Sequence, residues 1–494
     1  MKLFKYLILS AAAFSAVGFA SCQKEDVYFD SENQSKPMSI SQVYLEDYKS
    51  SVPDRPVDFA RLGQMLRFEG SGFMGVRKVY INGYDTYFNR AYVTDHSMIV
   101  SINTKTPVTD CDPELRNTIR LVKDKIEYTY EFSIRNGYTT ITQISNTLPK
   151  AGQTVILYGS YLHEPTRIVL PGNVEADPAT YDYDKVDGEW CSFVMPSGVT
   201  EGGSVTFESP NGIALSPNYF NEKRGMMLNF DDFTEQGAWS WSETGSMISN
   251  NREDGDLVED PTGVNGWCVQ IVPDRLLANG IPANKTRVTE CHTSGDADWE
   301  NWSRLADLIP ADTPLTEVAF QFDILCPQPW TSGGMLQIQS INNYSFGGFG
   351  SDDDKNTNGQ LYVWAPWLET GLGGDIIPFQ TETWQTITIP WSKFHKYANM
   401  IADGESPTFQ NVIDDRNAAT YHNFGIGFSN KDFSYVNASG STVDFESFVW
   451  TGPKVYLDNW RIVPCKTFES SDYPEDEEEA EAPAPSPEQP EDGE

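Results

Sequence analysis

The sequence predicts an all-β protein made of several β-sandwiches in series, and three observations carry that prediction. Aromatic residues form 13% of the 494 residues, helix-forming Ala/Leu/Glu/Lys runs are scarce, and Gly, Pro, Asn and Asp recur throughout. This is the composition of short strands joined by tight turns. A twenty-residue stretch recurs without a gap, and twelve of the thirteen Trp lie between Trp239 and Trp460, which sets a C-terminal part of different texture apart from the rest. At roughly 150 residues per domain, the length corresponds to about three domains.

Net charge is −36, and the segment from Glu469 to the end holds twelve acidic residues and no Lys or Arg, so about a third of the charge sits in the tail. A chain of this sign has no electrostatic route to a phosphate backbone or to an anionic membrane surface, which excludes nucleic acid as a partner class. The tail 466–494, acidic and Pro-rich, has little to bury and strong self-repulsion, and is expected to be disordered.

The chain opens with Lys2 and Lys5, an apolar stretch from Leu7 to Phe19, and then Ala20-Ser21-Cys22. Small residues ahead of a Cys at the end of a short apolar run read as a signal peptide over 1–21, with Cys22 as the lipidated N-terminus of the mature chain. The run is too short and wrongly flanked for a transmembrane helix. Cys22-Gln-Lys24-Glu25-Asp26 resembles the lipoprotein export signal of Bacteroidota, which implies an outer-membrane anchor facing the extracellular side. Residues 22–36 are then expected to be a polar tether. The other six Cys are scattered with no C-x-x-C pair, so neither zinc spacing nor a definite disulfide pattern is legible.

Segments 64–83 (QMLRFEGSGFMGVRKVYING) and 153–172 (QTVILYGSYLHEPTRIVLPG) align with Gln64/Gln153, Gly70/Gly159, Ser71/Ser160 and Gly83/Gly172 matched and the apolar alternation in register. The repeat unit is strand, Gly-Ser turn, strand, Gly turn, and its spacing of about ninety residues is that of an immunoglobulin-like sandwich. The Pro149-Lys-Ala-Gly152-Gln-Thr-Val155 opening and the strand to Gly172 resemble IPT/TIG domains. Domain one is placed at 37–136 and domain two at 137–225. Neither clusters catalytic residue types, and both read as spacers.

From Met226 the texture changes. Leu228-Asn-Phe230-Asp231 opens, and Val455-Tyr-Leu457-Asp458-Asn459-Trp460 closes, a unit read as one large jelly-roll-like β-sandwich over 226–465 whose first and last strands pair. In modules of this kind the two acidic ends often share a structural Ca²⁺, which makes Asp231 and Asp458 its candidate ligands. The alternative is that they bond nearby backbone N–H groups, and no cofactor or metal is otherwise expected. Thr316 to Leu325 alternates as a strand. Trp384 and Trp391 sit within apolar alternation and are expected in the core. Trp299 and Trp302 fit a strand face or a helical turn equally well.

Trp330 lies among Pro, Gln, Thr, Ser and Gly, while Trp364 and Trp367 flank Ala365-Pro366 after Tyr362. These neighbours do not build a core, and a flat ring left in water invites a ligand. Sugar rings stack on such faces and the polar edges of Trp and Tyr bond hydroxyls. Trp330, Trp364, Tyr362 and Trp367 are therefore the expected glycan-binding residues. Single ring contacts of about 1 kcal/mol imply weak binding, strengthened by many copies on one surface.

A lipidated Cys, Ig-like repeats, Asn229-Phe-Asp231, Phe322-Asp-Ile-Leu-Cys-Pro-Gln-Pro-Trp330, Tyr362-Val-Trp364 and Phe379-Gln-Thr-Glu-Thr-Trp384-Gln-Thr-Ile-Thr-Ile-Pro390 together resemble the surface glycan-binding protein B family of Bacteroidota polysaccharide-utilisation systems. The resemblance implies a non-catalytic surface binder with a C-terminal xyloglucan-binding-type domain. It also implies an aromatic platform at Trp330 and Trp364, a β-linked plant polysaccharide as ligand and a glycan transporter complex as a candidate partner. This chain departs from the family's pattern in placing Val363 directly before Trp364, with the Tyr one position earlier. The alternatives are a mannan or xylan ligand, a structural or adhesive surface protein, and a jelly-roll glycosidase. The last needs two carboxylates around the scissile bond, and Glu253-Asp-Gly-Asp256-Leu-Val-Glu259 lacks the spacing and alternation of such a strand. No G-x-S-x-G or H-E-x-x-H occurs, so no catalytic residue is expected.

Overall fold

The two copies of the repeat form the same bulged strand pair. In a computed structural model of the protein, the described residues are 27–46, 52, 54–231, 238–239, 257–271, 290–293, 302–330, 335–339, 361–369, 377–419, 424–429, 433–436, 441–445 and 454–472. Strand Ser39–Leu45 pairs with Met65–Ser71 and slips register between Ile40 and Gln42; strand Thr140–Ile144 pairs with Thr154–Ser160 and slips between Ile141 and Gln143. The matched glycines sit at these bulges. A Cβ on Gly70 would lie 1.9 Å from the Ser39 carbonyl oxygen, and one on Gly159 would lie 1.8 Å from that of Thr140. Only glycine admits so close an approach of two backbones. Gly83 and Gly172 close the following turns at positive φ.

Each repeat is one sandwich. In the first, a five-stranded sheet containing Ser39–Leu45, Met65–Ser71 and Ser97–Ser101 faces a four-stranded sheet containing Thr118–Val122 and Lys78–Ile81. In the second, Thr140–Ile144, Thr154–Ser160, Trp190–Val194 and Asp182–Tyr183 face Val174–Glu175, Arg167–Leu170, Thr206–Ser209 and Gly212–Leu215. Period-two alternation puts Leu66 and Phe68 into one core and Val155 and Leu157 into the other.

The first sandwich begins earlier than its sequence suggests. Residues 27–36 pack onto it: the Tyr28 hydroxyl donates to the Val76 carbonyl at 3.0 Å, and Gln34 donates to Gly75 O and accepts from Asp124 N, both at 2.9 Å. Lys123 Nζ donates to Asn33 O at 2.7 Å. The expected tether over 22–36 is therefore corrected. Its polar composition concealed a buried Gln and Tyr whose partners lie 41 to 90 residues away.

The C-terminal unit is a larger sandwich. One sheet orders Leu257–Glu259, Trp267–Ile271, Val455–Pro464, Val318–Leu325 and Gln385–Pro390, with Met226–Leu228 also pairing Val455–Pro464. First and last strands meet as expected, Met226 opposite Arg461 and Leu228 opposite Trp460. The facing sheet orders Ala238–Trp239, Glu290–Thr293, Gly425–Ser429, Met335–Gln339 and Leu361–Trp364. Two helices, His395–Ala402 and Phe409–Ala418, follow the Gln385–Pro390 strand. Among the described residues no helix is long and apolar enough to cross a membrane.

Val318–Leu325 is buried at all eight positions. Phe320, Phe322 and Ile324 fill the sandwich core, whereas Ala319, Gln321 and Asp323 face the second Ig-like sandwich. There Arg461 donates to Gln321 Oε1 at 3.0 Å, Asp323 Oδ1 at 2.9 Å and Thr147 Oγ1 at 2.8 Å. Thr386 N donates to the Ser145 carbonyl at 2.7 Å. The two units thus join through a buried polar network rather than a loose linker.

Candidate functional site

The aromatic residues singled out from the sequence do come together, but inside the sandwich. Trp330 forms a two-way backbone bridge with Phe379, at 2.8 and 3.0 Å. This bridge turns its ring inward, where it meets Trp364 edge-on at 6.2 Å between centroids. Trp364 in turn packs edge-on against Phe322 and Phe379, each at 5.4 Å. Trp367 lies in the short helix Pro366–Glu369. Trp330 and Trp367 are 0% exposed and Trp364 is 4%. Tyr362, on the same strand face as Trp364, is half-buried against Phe394 at 5.9 Å.

The expected exposed platform at Trp330, Trp364 and Trp367 is therefore corrected: a ring with no open face cannot stack on a sugar. Polar and Pro neighbours along the chain constrain only the backbone and carry no information on what the ring packs against. The wide gap between two large sheets takes the biggest side chains available. Trp384 and Trp391 are buried as expected; the Trp384 indole donates to Asp260 Oδ2 at 3.0 Å, and Trp391 stacks on Phe394 at 4.6 Å. Trp299 lies outside the described residues, as do Glu253 and Asp256; Glu259 is exposed on the strand Leu257–Glu259.

Of Trp299 and Trp302, which fit a strand face or a helical turn equally well by sequence, Trp302 opens a short helical turn. Its ring stacks with Phe409 at 6.4 Å and 12°, and the Arg416 guanidinium lies 3.7 Å from its centroid. Phe409 and Arg416 sit two turns apart on the helix Phe409–Ala418, so one helix face supplies both. Trp302, Ala306, Phe409 and Ile413 line a cleft of about 190 Å³, with Ser303, Arg416 and Asn417 as its polar groups. Phe409 and Arg416 are buried behind Trp302, so the half-buried Trp302, with the exposed Ala306, Ser303 and Asn417, is what the cleft can present to a sugar ring and its hydroxyls.

Asp231 and Asp458 are both engaged with backbone. Asp231 Oδ1 accepts from Trp267 N at 2.8 Å, and Asp458 Oδ1 accepts from Asn459 N at 2.7 Å. Asn459, at φ +51°, forms a bulge and its side-chain amide bridges Asp458 and Asp323. Among the described residues no group of three or more His, Cys, Asp or Glu is arranged to hold a metal ion. Burial, reinforced by the nearby Asp323 charge, pushes the Asp458 carboxyl well above the usual carboxylate range. A folded-state pKa above the unfolded one means stability that is present at low pH and is lost as pH rises through the folded value. Asp458→Asn is thus expected to raise the denaturant midpoint at pH 7 and to flatten its fall with pH. A lowered midpoint, together with a fall on adding EDTA to the unmodified protein, would instead reveal a cation at this carboxylate.

The described cysteines Cys111, Cys191, Cys268, Cys326 and Cys465 are buried free thiols. Burial pushes those of Cys191, Cys326 and Cys465 up to about 12, which leaves them inert as nucleophiles.

Comparison with known proteins places this architecture. A crystal structure of a surface glycan-binding protein from Prevotella bryantii shares the fold with a TM-score of 0.56 at 18% identity, over 87% of this chain and 100% of that one. A surface glycan-binding protein B from a xyloglucan utilisation locus of Bacteroides uniformis aligns over the same shares at 16% identity with a TM-score of 0.42. An IPT/TIG domain-containing protein of Bacteroides ovatus is 20% identical over 378 residues, covering 57% of this chain and 73% of its own. The model of the surface glycan-binding protein B xyloglucan binding domain matches residues 220–464, the whole of the large sandwich. The large sandwich is thus a domain of the surface glycan-binding protein B family, whose members bind glycans at the cell surface without cleaving them.

Proposed function

We propose that the protein is an outer-membrane lipoprotein, anchored through Cys22, that captures a β-linked plant glucan of the xyloglucan type for uptake, with a glycan transporter as its membrane partner. The observation that carries this reading is the match of residues 220–464 to a xyloglucan-binding domain model. The basic-apolar-Cys start and the two Ig-like sandwiches ahead of that domain support it. The Trp302 cleft is the contact we assign to the sugar: the half-buried Trp302 and Ile413 with the exposed Ala306 offer its apolar surface, and the exposed Ser303 and Asn417 offer groups for hydroxyls.

Affinity electrophoresis of the mature chain in gels containing xyloglucan, mixed-linkage β-glucan, mannan or xylan tests this reading. Retardation is expected to be strongest in xyloglucan; no retardation in any of the four overturns the glucan assignment. Ala306 is exposed at the cleft, and Ala306→Trp should fill it. That variant is expected to weaken xyloglucan binding at least about tenfold, the loss of roughly 1.4 kcal/mol, with an unchanged melting temperature. Unaltered retardation would remove the cleft from the binding surface while leaving the glucan reading in place.

A further inference from the structure

The acidic tail 466–494 was expected to be disordered from its first residue. The structure instead carries 466–472 back along the second Ig-like sandwich to its junction with the first. Lys466 N donates to Asn218 Oδ1 at 2.8 Å and Asn218 N donates to Lys466 O at 3.3 Å. Further on, the Ser470 hydroxyl donates to Thr139 O at 2.8 Å. The segment ends on Asp472, whose carboxylate meets Arg61 of the first sandwich at 2.7 and 2.6 Å.

Both side chains of this pair are 5% exposed. Arg61 uses all five of its N–H groups there: two on Asp472, one each on Asn136 O and Gly137 O in the connection between the sandwiches, and one on Asn211 O of the second sandwich. Asn211 completes the node, accepting from Asn136 N at 2.7 Å and donating to Gly137 O and Thr139 Oγ1, each at 2.9 Å. Arg135 approaches Asp472 at 3.8 Å. Three separate stretches of chain therefore converge on the Arg61 guanidinium, and only Asp472 brings it a full countercharge among these partners.

We propose that 466–472 is a clasp that locks the joint between the first two sandwiches, so that the residues directly following the large sandwich set the rigidity of the stalk. A buried guanidinium held only by carbonyl oxygens is poorly compensated, whereas a bidentate carboxylate supplies both charge and direction. A second ion pair crosses the same joint, Arg116 to Glu164 at 2.8 and 2.5 Å, but it is partly exposed and screened by solvent. The clasp is therefore the contact whose loss should free the joint.

Hydrogen–deuterium exchange on the mature chain tests the clasp, comparing it with a chain ending at Asp472, a chain ending at Cys465, and Asp472→Asn in the full chain. The amides of Asn136, Gly137 and Thr139 and the strand Ser133–Arg135 are read out. Removing the tail beyond Asp472 is expected to leave protection unchanged. Ending at Cys465 is expected to raise exchange there at least tenfold, and Asp472→Asn severalfold, with glycan retardation and protection of the Val318–Leu325 strand unaltered. Equal protection in all four proteins would overturn the clasp. So would exchange rising equally across the second sandwich, which would make the segment part of that sandwich's general stability rather than a lock on the joint.

Discussion

Trp364→Ala is expected to destabilise the C-terminal sandwich by about 3–5 kcal/mol, measured as a shift in denaturant midpoint at constant slope. The indole touches Trp330, Phe322 and Phe379 edge-on from three sides, and its removal leaves a cavity bounded by rings that cannot close on it. Trp364→Phe should recover much of the loss, because an aromatic ring at this site keeps edge contacts with the same neighbours. A surface platform residue behaves in the opposite way: its alanine variant keeps full stability and loses sugar. Full stability of the Trp364→Ala protein would return this ring to the surface and revive the platform expected from the sequence.

Arg461→Ala should be comparably costly, about 3–5 kcal/mol, for an electrostatic reason. Arg461 is wholly buried and pairs with Asp323, which lies beside the already strained Asp458 carboxyl. Without the guanidinium, two adjacent buried carboxyl groups remain with only the neutral Asn459 amide and Thr386 hydroxyl beside them. Thr147 loses its donor at the same time, so the second Ig-like sandwich should loosen from the large one. Thr147→Ala removes only a neutral partner and is expected to cost about 1 kcal/mol. A joint that stays protected in hydrogen exchange after Arg461→Ala would show that apolar contacts, such as Ala319 and Val463 against the second core, hold it alone.

The fold was largely legible because its devices are local. Alternation in the repeats set which side chains enter each core, and the matched glycines marked bulges that no other residue tolerates. The large sandwich was legible from its ends, since Asn229-Phe-Asp231 follows the first strand and Leu457-Asp458-Asn459 lies at a bulge within the last. The site was not legible in the same way. Trp330, Trp364 and Trp367 sit in polar or Pro-containing sequence and still fill the core, while Trp302, in no clear periodic pattern, lines a cleft.

The sequence by itself determined the all-β class, the two Ig-like repeats and the pairing of first and last strands in the third unit. These rest on periodicity, on turn chemistry and on residue types, all of which act within a few residues. Only the tertiary structure decided what the polar positions face. Gln321 and Asp323 alternate as a solvent face would, yet they lie against a second domain, and Asp472 in an acidic tail meets an arginine 411 residues earlier. Burial depends on which surfaces come together across the whole chain, and a side chain's own neighbours carry no record of that.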